Sequence, residues 1–330
     1  MQEVKREDIL LKACDLLKSG VVNRVLGWRV GEFDYDVMPA IFDCREDILE
    51  NFVWNDFCYV NLSKYLIKET EKNDGKILVF LKPCDSYSFN QLLSENRFSR
   101  EKVYVVGVSC DGMLDVSKIK NKTGSILHIK EDDDKITVQT IFDKNFVFKR
   151  DELLPDRCIN CKSKKHAVYD ELLGTERNIS DCRRFDEVKK IENMTSKERF
   201  LFWQGELSRC IRCNACRNVC PACTCENCVF DNPNSGIENK SPSNSFEEKM
   251  FHIIRAFHVA GRCTDCGECS RVCPQNIPLH LINRKFIKDI NSFYKDYQAG
   301  AKIEVCSPLM EFSTQDIEPK DAIEKGKENV

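Results

Sequence analysis

Long apolar runs are missing from this 330-residue sequence, and no stretch approaches the length needed to span a bilayer. A surplus of positive charge is missing as well. Fifty lysines and arginines face fifty-three aspartates and glutamates, so the formal net charge is −3 and no basic field calls for nucleic acid. The fourteen glycines nowhere gather into a dense phosphate cradle, and there are five histidines. No P-loop, Ser/His/Asp set or paired-carboxylate signature stands out. The opening residues, MQEVKREDILL, carry charges where a secretory signal needs an apolar core. These absences lead us to expect a cytoplasmic protein with no membrane span and no nucleic-acid partner.

Cysteine is abundant instead, with twenty residues. In a reducing compartment that number argues for metal or clusters, not disulfides. Two copies of one run carry the signal. The first is Cys210-x-x-Cys213-x-x-Cys216-x-x-x-Cys220-Pro221, and the second is Cys263-x-x-Cys266-x-x-Cys269-x-x-x-Cys273-Pro274. In this bacterial ferredoxin pattern three close thiolates cover three corners of a 4Fe–4S cubane, and the fourth, before the proline, ligates the other cluster. The expected sets are therefore Cys210, Cys213, Cys216 and Cys273 for one cluster, and Cys263, Cys266, Cys269 and Cys220 for the second. A zinc ribbon would show two Cys-x-x-Cys pairs, not two runs of four ending in proline.

The chain is long enough for two domains. Its first part reads as α/β with a mainly parallel sheet. Residues 76–82 (KILVFLK) and 102–109 (KVYVVGVS) have the apolar character of buried parallel strands. Residues 85–97 between them fit a helix capped by Asp85 or Ser86, which makes a βαβ unit. Val22–Val30 and Ile136–Phe142 are further strand candidates, and Glu131–Lys135 (EDDDK) reads as a solvated turn. The second part is expected to be mainly helical, a dicluster ferredoxin-like domain. It contains an internal repeat of period 53: residues 198–220 and 251–273 each run from an apolar helical segment through Arg-Cys and a cluster loop to Val-Cys-Pro. Asp231–Ser245 reads as a linker and the last residues as a charged tail. The expected division is 1–180, 181–305 and 306–330.

A third site follows from topology. Cys84 and Cys110 fall just past the ends of two parallel strands, hence on one edge of the sheet, where such folds place ligands. Cys158-x-x-Cys161 adds a pair at ligand spacing, which makes four donors for another 4Fe–4S cluster or for zinc. Cys84 and Cys110 also read as ordinary buried thiols. Cys223, Cys225 and Cys228 follow the first ferredoxin run directly. With Cys182 they form a possible extra metal site, and Cys223 is alternatively a substitute for Cys220 in the ligand register. Cys14, Cys44, Cys58 and Cys306 read as small buried hydrophobes. His252 and His258, on the helix entering the second loop, read as having no role at the clusters. Arg209 and Arg262, each before a first cysteine, read either as cations that stabilise a reduced cluster or as surface residues. Trp203, Phe200 and Phe202 read as helix packing, and Lys162, Lys164 and Lys165 as a solvated charge run.

LVFLKPCDSYSFNQL, VYVVGVSCDG and Cys158-x-x-Cys161 together resemble the beta-subunit family of deazaflavin-coenzyme-reducing hydrogenases and formate dehydrogenases, over about residues 20–175. The resemblance implies a Pro-Cys, a Gly-x-x-Cys and a later Cys-x-x-Cys holding a 4Fe–4S cluster beside a flavin. Pro83-Cys84, Gly107 to Cys110, and Cys158 with Cys161 stand in those places. The second half is similar to the helical two-cluster ferredoxin domain of heterodisulfide reductase and related subunits. Family members often carry their ferredoxin run at the N-terminus, whereas here it is C-terminal, and Gly27 and Gly31 stand isolated where a glycine-rich flavin stretch would lie.

The expected function is an iron–sulfur electron-transfer subunit of a multi-subunit anaerobic oxidoreductase, relaying single electrons through three or four 4Fe–4S clusters. Its partners would be other subunits of a formate dehydrogenase-, hydrogenase-, methylene-folate reductase- or heterodisulfide reductase-type complex. The alternatives are an FAD-containing subunit that reduces a deazaflavin or nicotinamide coenzyme, and a zinc-bound interaction protein.

Overall fold

The computed structural model describes residues 3–132, 135–163, 165–177, 183–232, 245–294 and 296–311. After helix α1 (Arg6–Lys18), strands β1 (Arg24–Val30) and β2 (Val37–Phe42) form an antiparallel hairpin, followed by helices α2 (Arg45–Asn51) and α3 (Tyr65–Lys72). Strand β3 (Ile77–Leu81) is an unbroken apolar run buried along its whole length, as a strand covered on both faces must be. Helix α4 (Pro83–Ser94) then leads to β4 (Val103–Val108).

Beyond β4 the chain forms α5 (Val116–Thr123) and an antiparallel meander of β5 (His128–Asp132), β6 (Lys135–Gln139) and β7 (Asn145–Lys149). Two short helices, α6 (Arg150–Leu153) and α7 (Asp156–Ile159), precede β8 (Glu171–Leu173). The main sheet has the order β2-β1-β3-β4-β8. The pairs β1–β3, β3–β4 and β4–β8 are parallel, so the sheet is mixed with mainly parallel strands. The candidate strand at 136–142 is therefore real as β6, but it belongs to a second sheet. Ile136 and Val138 turn to a separate apolar cluster with Ile119 and Leu153.

Two local expectations are corrected. Helix α4 begins at Pro83 with Lys82 as its N-cap residue, so Asp85 and Ser86 lie inside the first turn, and so does Cys84. Proline at the first helical position loses no hydrogen bond and presets the backbone angle. Glu131 is also no solvated bystander: its carboxylate takes a 2.7 Å ion pair from Arg150, which also forks onto the buried Asp56. A charge in that turn is used to neutralise a guanidinium that packing has buried.

The later residues are mainly helical: α8 (Asp186–Glu192), α9 (Ser196–Leu207), α10 (Ala215–Val219), α11 (Ser245–Val259), α12 (Glu268–Arg271) and α13 (Leu279–Tyr294). A third apolar cluster joins Leu207, Phe230, Phe251, Ile277 and Leu279 with Cys216 and Cys269. The repeat is visible in backbone angles. Arg212 and Asn214 in the first loop have φ of 52° and 61°; their counterparts 53 residues on, Asp265 and Gly267, have 60° and 71°. Both loops make the same left-handed turns at corresponding places.

Ser307 is buried and Pro308–Met310 forms a 3-10 turn, so the segment after 305 is docked as far as it is described. Most of the expected linker at 231–245 and the tail at 315–330 lie outside the described residues.

Candidate functional site

Cys84 and Cys110 are brought to one sheet edge by the parallel register of β3 on β4, in which Leu81 pairs with Gly107. Both thiols line a single cavity with Cys158 and Cys161. Thus all four residues expected at the third site face one space. Burial pushes the Cys110 thiol up to about 12 and raises Cys84 well above its ordinary range. Thiols so placed ionise readily only when a metal supplies positive charge.

The cavity wall is cationic. Lys82, fully buried, pairs with Asp85 at 2.7 Å and donates to the carbonyl of Cys58 at 2.8 Å. Arg184, 2 % exposed, donates from Nε to Asp265 at 2.7 Å, while its Nη1 and Nη2 are buried without a partner among the described residues. Buried donors left unpaired are costly, so they point to an anionic occupant. A thiolate-ligated iron–sulfur centre is such an anion, and the donor set therefore fits one.

In the second ferredoxin run Cys263 and Cys266 lie within electrostatic range of Cys220, and Cys269 is close to it as well. In the first, Cys216 is close to Cys213 and Cys273. The thiols of the two runs thus stand close to one another, Cys216 also near Cys220 of its own run. Among the described residues, no three His, Cys, Asp or Glu side chains gather as ligands of one metal ion would.

The extra set is only partly visible. Cys182 lies outside the described residues. Cys223 hydrogen-bonds to Cys220, which lowers the Cys220 thiol and raises that of Cys223. Cys225 is exposed, and Cys223, Cys225 and Cys228 all line one groove beside Lys64 and Arg217.

Several expectations fail for physical reasons. Cys44 and Cys306 are exposed, whereas Cys14 and Cys58 are buried as expected. Phe200 is 56 % exposed, whereas Trp203 packs against the third apolar cluster. Arg209 is exposed and pairs with Glu206. Arg262 forks onto Glu95, the C-cap residue of α4, at 2.6 and 2.7 Å, so its charge is balanced there. Lys162 lines the four-thiol cavity and pairs with Asp296 at 3.1 Å; Lys165 is exposed, and Lys164 lies outside the described residues.

The largest miss is on α11. His252, 2 % exposed, places Nε2 3.2 Å from Cys210 Sγ, and its Nδ1 has no partner among the described residues. With a Cys210 thiolate as acceptor, Nε2 would carry the hydrogen. Burial, with Arg255 and Arg212 nearby, lowers His252 to about 3 and keeps it neutral. Arg255, 3 % exposed, donates to the Cys216 carbonyl at 2.9 Å and stands close to Cys220, Cys269 and Cys223. The i, i+3 spacing of these two polar residues within the apolar stretch of residues 250–257 was the available signal.

With this geometry in hand, comparison with known proteins is informative. Residues 206–277 match the family described as the 4Fe-4S dicluster domain, the stretch that holds both ferredoxin runs. Over 325 residues the chain is 26% identical to the F420-dependent formate dehydrogenase subunit beta of Methanocaldococcus jannaschii, covering 81% of this chain and 84% of that protein. The chain resembles the F420-dependent formate dehydrogenase beta subunits. A second of these, subunit beta of F420-dependent formate dehydrogenase 1 of Methanococcus maripaludis, is 25% identical over 344 residues, covering 83% of this chain and 87% of its own length. A solved chain of the F420-reducing [NiFe] hydrogenase complex from Methanosarcina barkeri superposes with a TM-score of 0.36 at 16% identity. That superposition covers 46% of this chain and 58% of the other, too slight to carry an argument. No described helix is long and apolar enough to cross a membrane.

Proposed function

We propose that this chain is the iron–sulfur electron-transfer subunit of a multi-subunit oxidoreductase and relays single electrons through three 4Fe–4S clusters. The observation that carries the reading is the shared wall. Thr264, Asp265 and Cys266 of the second ferredoxin loop line the same cavity as Cys84, Cys110, Cys158 and Cys161. A third thiol set so placed extends the dicluster into a chain of centres.

The proposed sets are Cys84, Cys110, Cys158 and Cys161; Cys263, Cys266, Cys269 and Cys220; and Cys210, Cys213, Cys216 and Cys273. When bound, 4Fe–4S clusters supply one-electron chemistry, and two-electron chemistry belongs to another centre, in a partner subunit. The residues of this chain set spacing and charge. Lys82, Arg184 and Arg255 offer buried positive charge, and His252 offers a hydrogen bond to a ligand sulfur. Cys223, Cys225 and Cys228 stay outside the three sets. We further propose the division 1–180, 181–305 and 306–330, and partners of the formate dehydrogenase type, as the names of the relatives suggest.

A second reading has a bound FAD passing electrons to a deazaflavin or nicotinamide coenzyme, and the relatives named F420-dependent favour it. The isolated glycines lend it no support. A Cβ on Gly27 would collide with the Phe52 ring, so that glycine is accounted for by packing. The test of the first reading is Cys110→Ser. It should remove about four of about twelve iron atoms per chain and leave the paired-cluster EPR signal intact. Loss of the paired signal with it would contradict the assignment.

A further inference from the structure

Arg157 occupies the boundary between the four-thiol cavity and the second ferredoxin loop. It sits on α7 next to Cys158 and is 12 % exposed at its side chain. Its guanidinium stacks over the Tyr59 ring at 4.6 Å. Its Nη1 donates to the backbone carbonyl of Cys266 and pairs at 2.9 Å with Glu268, a carboxylate only 1 % exposed. Arg157 also lies within electrostatic range of Cys84. One side chain therefore lines the cavity beside Cys158 and Cys84 and hydrogen-bonds the backbone of Cys266.

The fit is reinforced by backbone shape. A Cβ on Gly267 would run into Arg157 Cδ, so the loop carries a glycine where the arginine crosses it. The first loop has Asn214 at the corresponding place, and its Cys216 carbonyl accepts from Arg255, an arginine of α11. The two loops, otherwise alike, differ where one of them meets the four-thiol cavity.

We propose that Arg157 and Glu268 form the junction across which the four-thiol site exchanges electrons with the Cys263 set, Arg157 being the positioning residue that holds the two in register and biases their potentials. The inference rests on the three-cluster reading above. One electron crosses per event: one centre is oxidised by one electron, the other is reduced by one, and no bond forms or breaks. The Cys210 set is then the far end of the relay. Cys213, one of its thiols, is exposed.

Redox titration followed by EPR on the full cluster-loaded chain tests this, with signals assigned through Cys110→Ser and Cys213→Ser. A buried cation stabilises the more negative reduced state and a buried anion opposes it. Arg157→Met should therefore lower the midpoint potentials of the four-thiol and Cys263 sets, and Glu268→Gln should raise them, with the Cys210 set unmoved in both. Opposite, site-selective shifts are not what general loosening would produce. Equal shifts in all three sets, or none in any, would overturn the junction. If Arg157→Met fails to fold, Glu268→Gln, which keeps the shape, decides alone. A parent chain with about eight iron instead of about twelve fails the three-cluster reading itself, before any shift is measured.

Discussion

His252 Nε2 lies 3.2 Å from Cys210 Sγ, deep beneath α11. A hydrogen bond to a cluster sulfur strengthens as the cluster gains an electron, so it raises the reduction potential. His252→Leu should lower the potential of the Cys210 set by roughly 40 mV if the bond contributes about 1 kcal/mol more in the reduced state. The same residue carries a pH statement. Its folded-state value is depressed to about 3, so it stays neutral from pH 5 to 8 as those values are usually surveyed. The potential of that set should then be flat across this window, and a slope removed by His252→Leu would contradict the assignment.

The two loops invite a paired comparison. Gly267 has φ of 71° and a side-chain Cβ there would meet Arg157; Asn214, at the equivalent place, has φ of 61°. Gly267→Ala should cost at least about 1–2 kcal/mol from the left-handed backbone alone, with further loss from the collision. Asn214→Gly should change stability by no more than about 1 kcal/mol. Melting of the loaded chain measures both, and equal effects would show that the loops are not held as described.

Arg150 and Asp56, 5 % and 3 % exposed, form a two-pronged ion pair that ties α6 to the segment after β2. Removing one partner strands a buried charge. Arg150→Ala should cost about 3–5 kcal/mol, read as a lower urea midpoint. Arg150→Ala with Asp56→Ala together should cost less than the sum of the two single changes.

Much of this was legible in the sequence, and the reason differs by element. Strands β3 and β4 announced themselves because a strand covered on both faces must be apolar throughout. From them alone the meeting of Cys84 and Cys110 at one edge followed, since parallel neighbours end on the same side. The doubled cysteine run carried its repeat; the left-handed pairs Arg212 with Asp265 and Asn214 with Gly267 appear only in the backbone. What stayed hidden depends on distant partners. Lys82, Arg157, Arg184 and Arg255 read as ordinary surface cations until tertiary packing buries them against thiols and carboxylates. The start of α4 was misjudged for a local reason: Asp85 and Ser86 are good capping types, but Pro83 prefers the first helical position and moves the start two residues earlier. Cys44 and Cys306 look like core thiols by neighbourhood, yet each sits at an exposed edge.

The relay itself is tested most directly by the metal and flavin content of the anaerobically purified chain, read with its visible spectrum. Three thiol sets should bring about twelve iron per chain, no zinc and no flavin. Zinc without iron would contradict the electron-transfer account outright, and about eight iron would remove the site at Cys84, Cys110, Cys158 and Cys161.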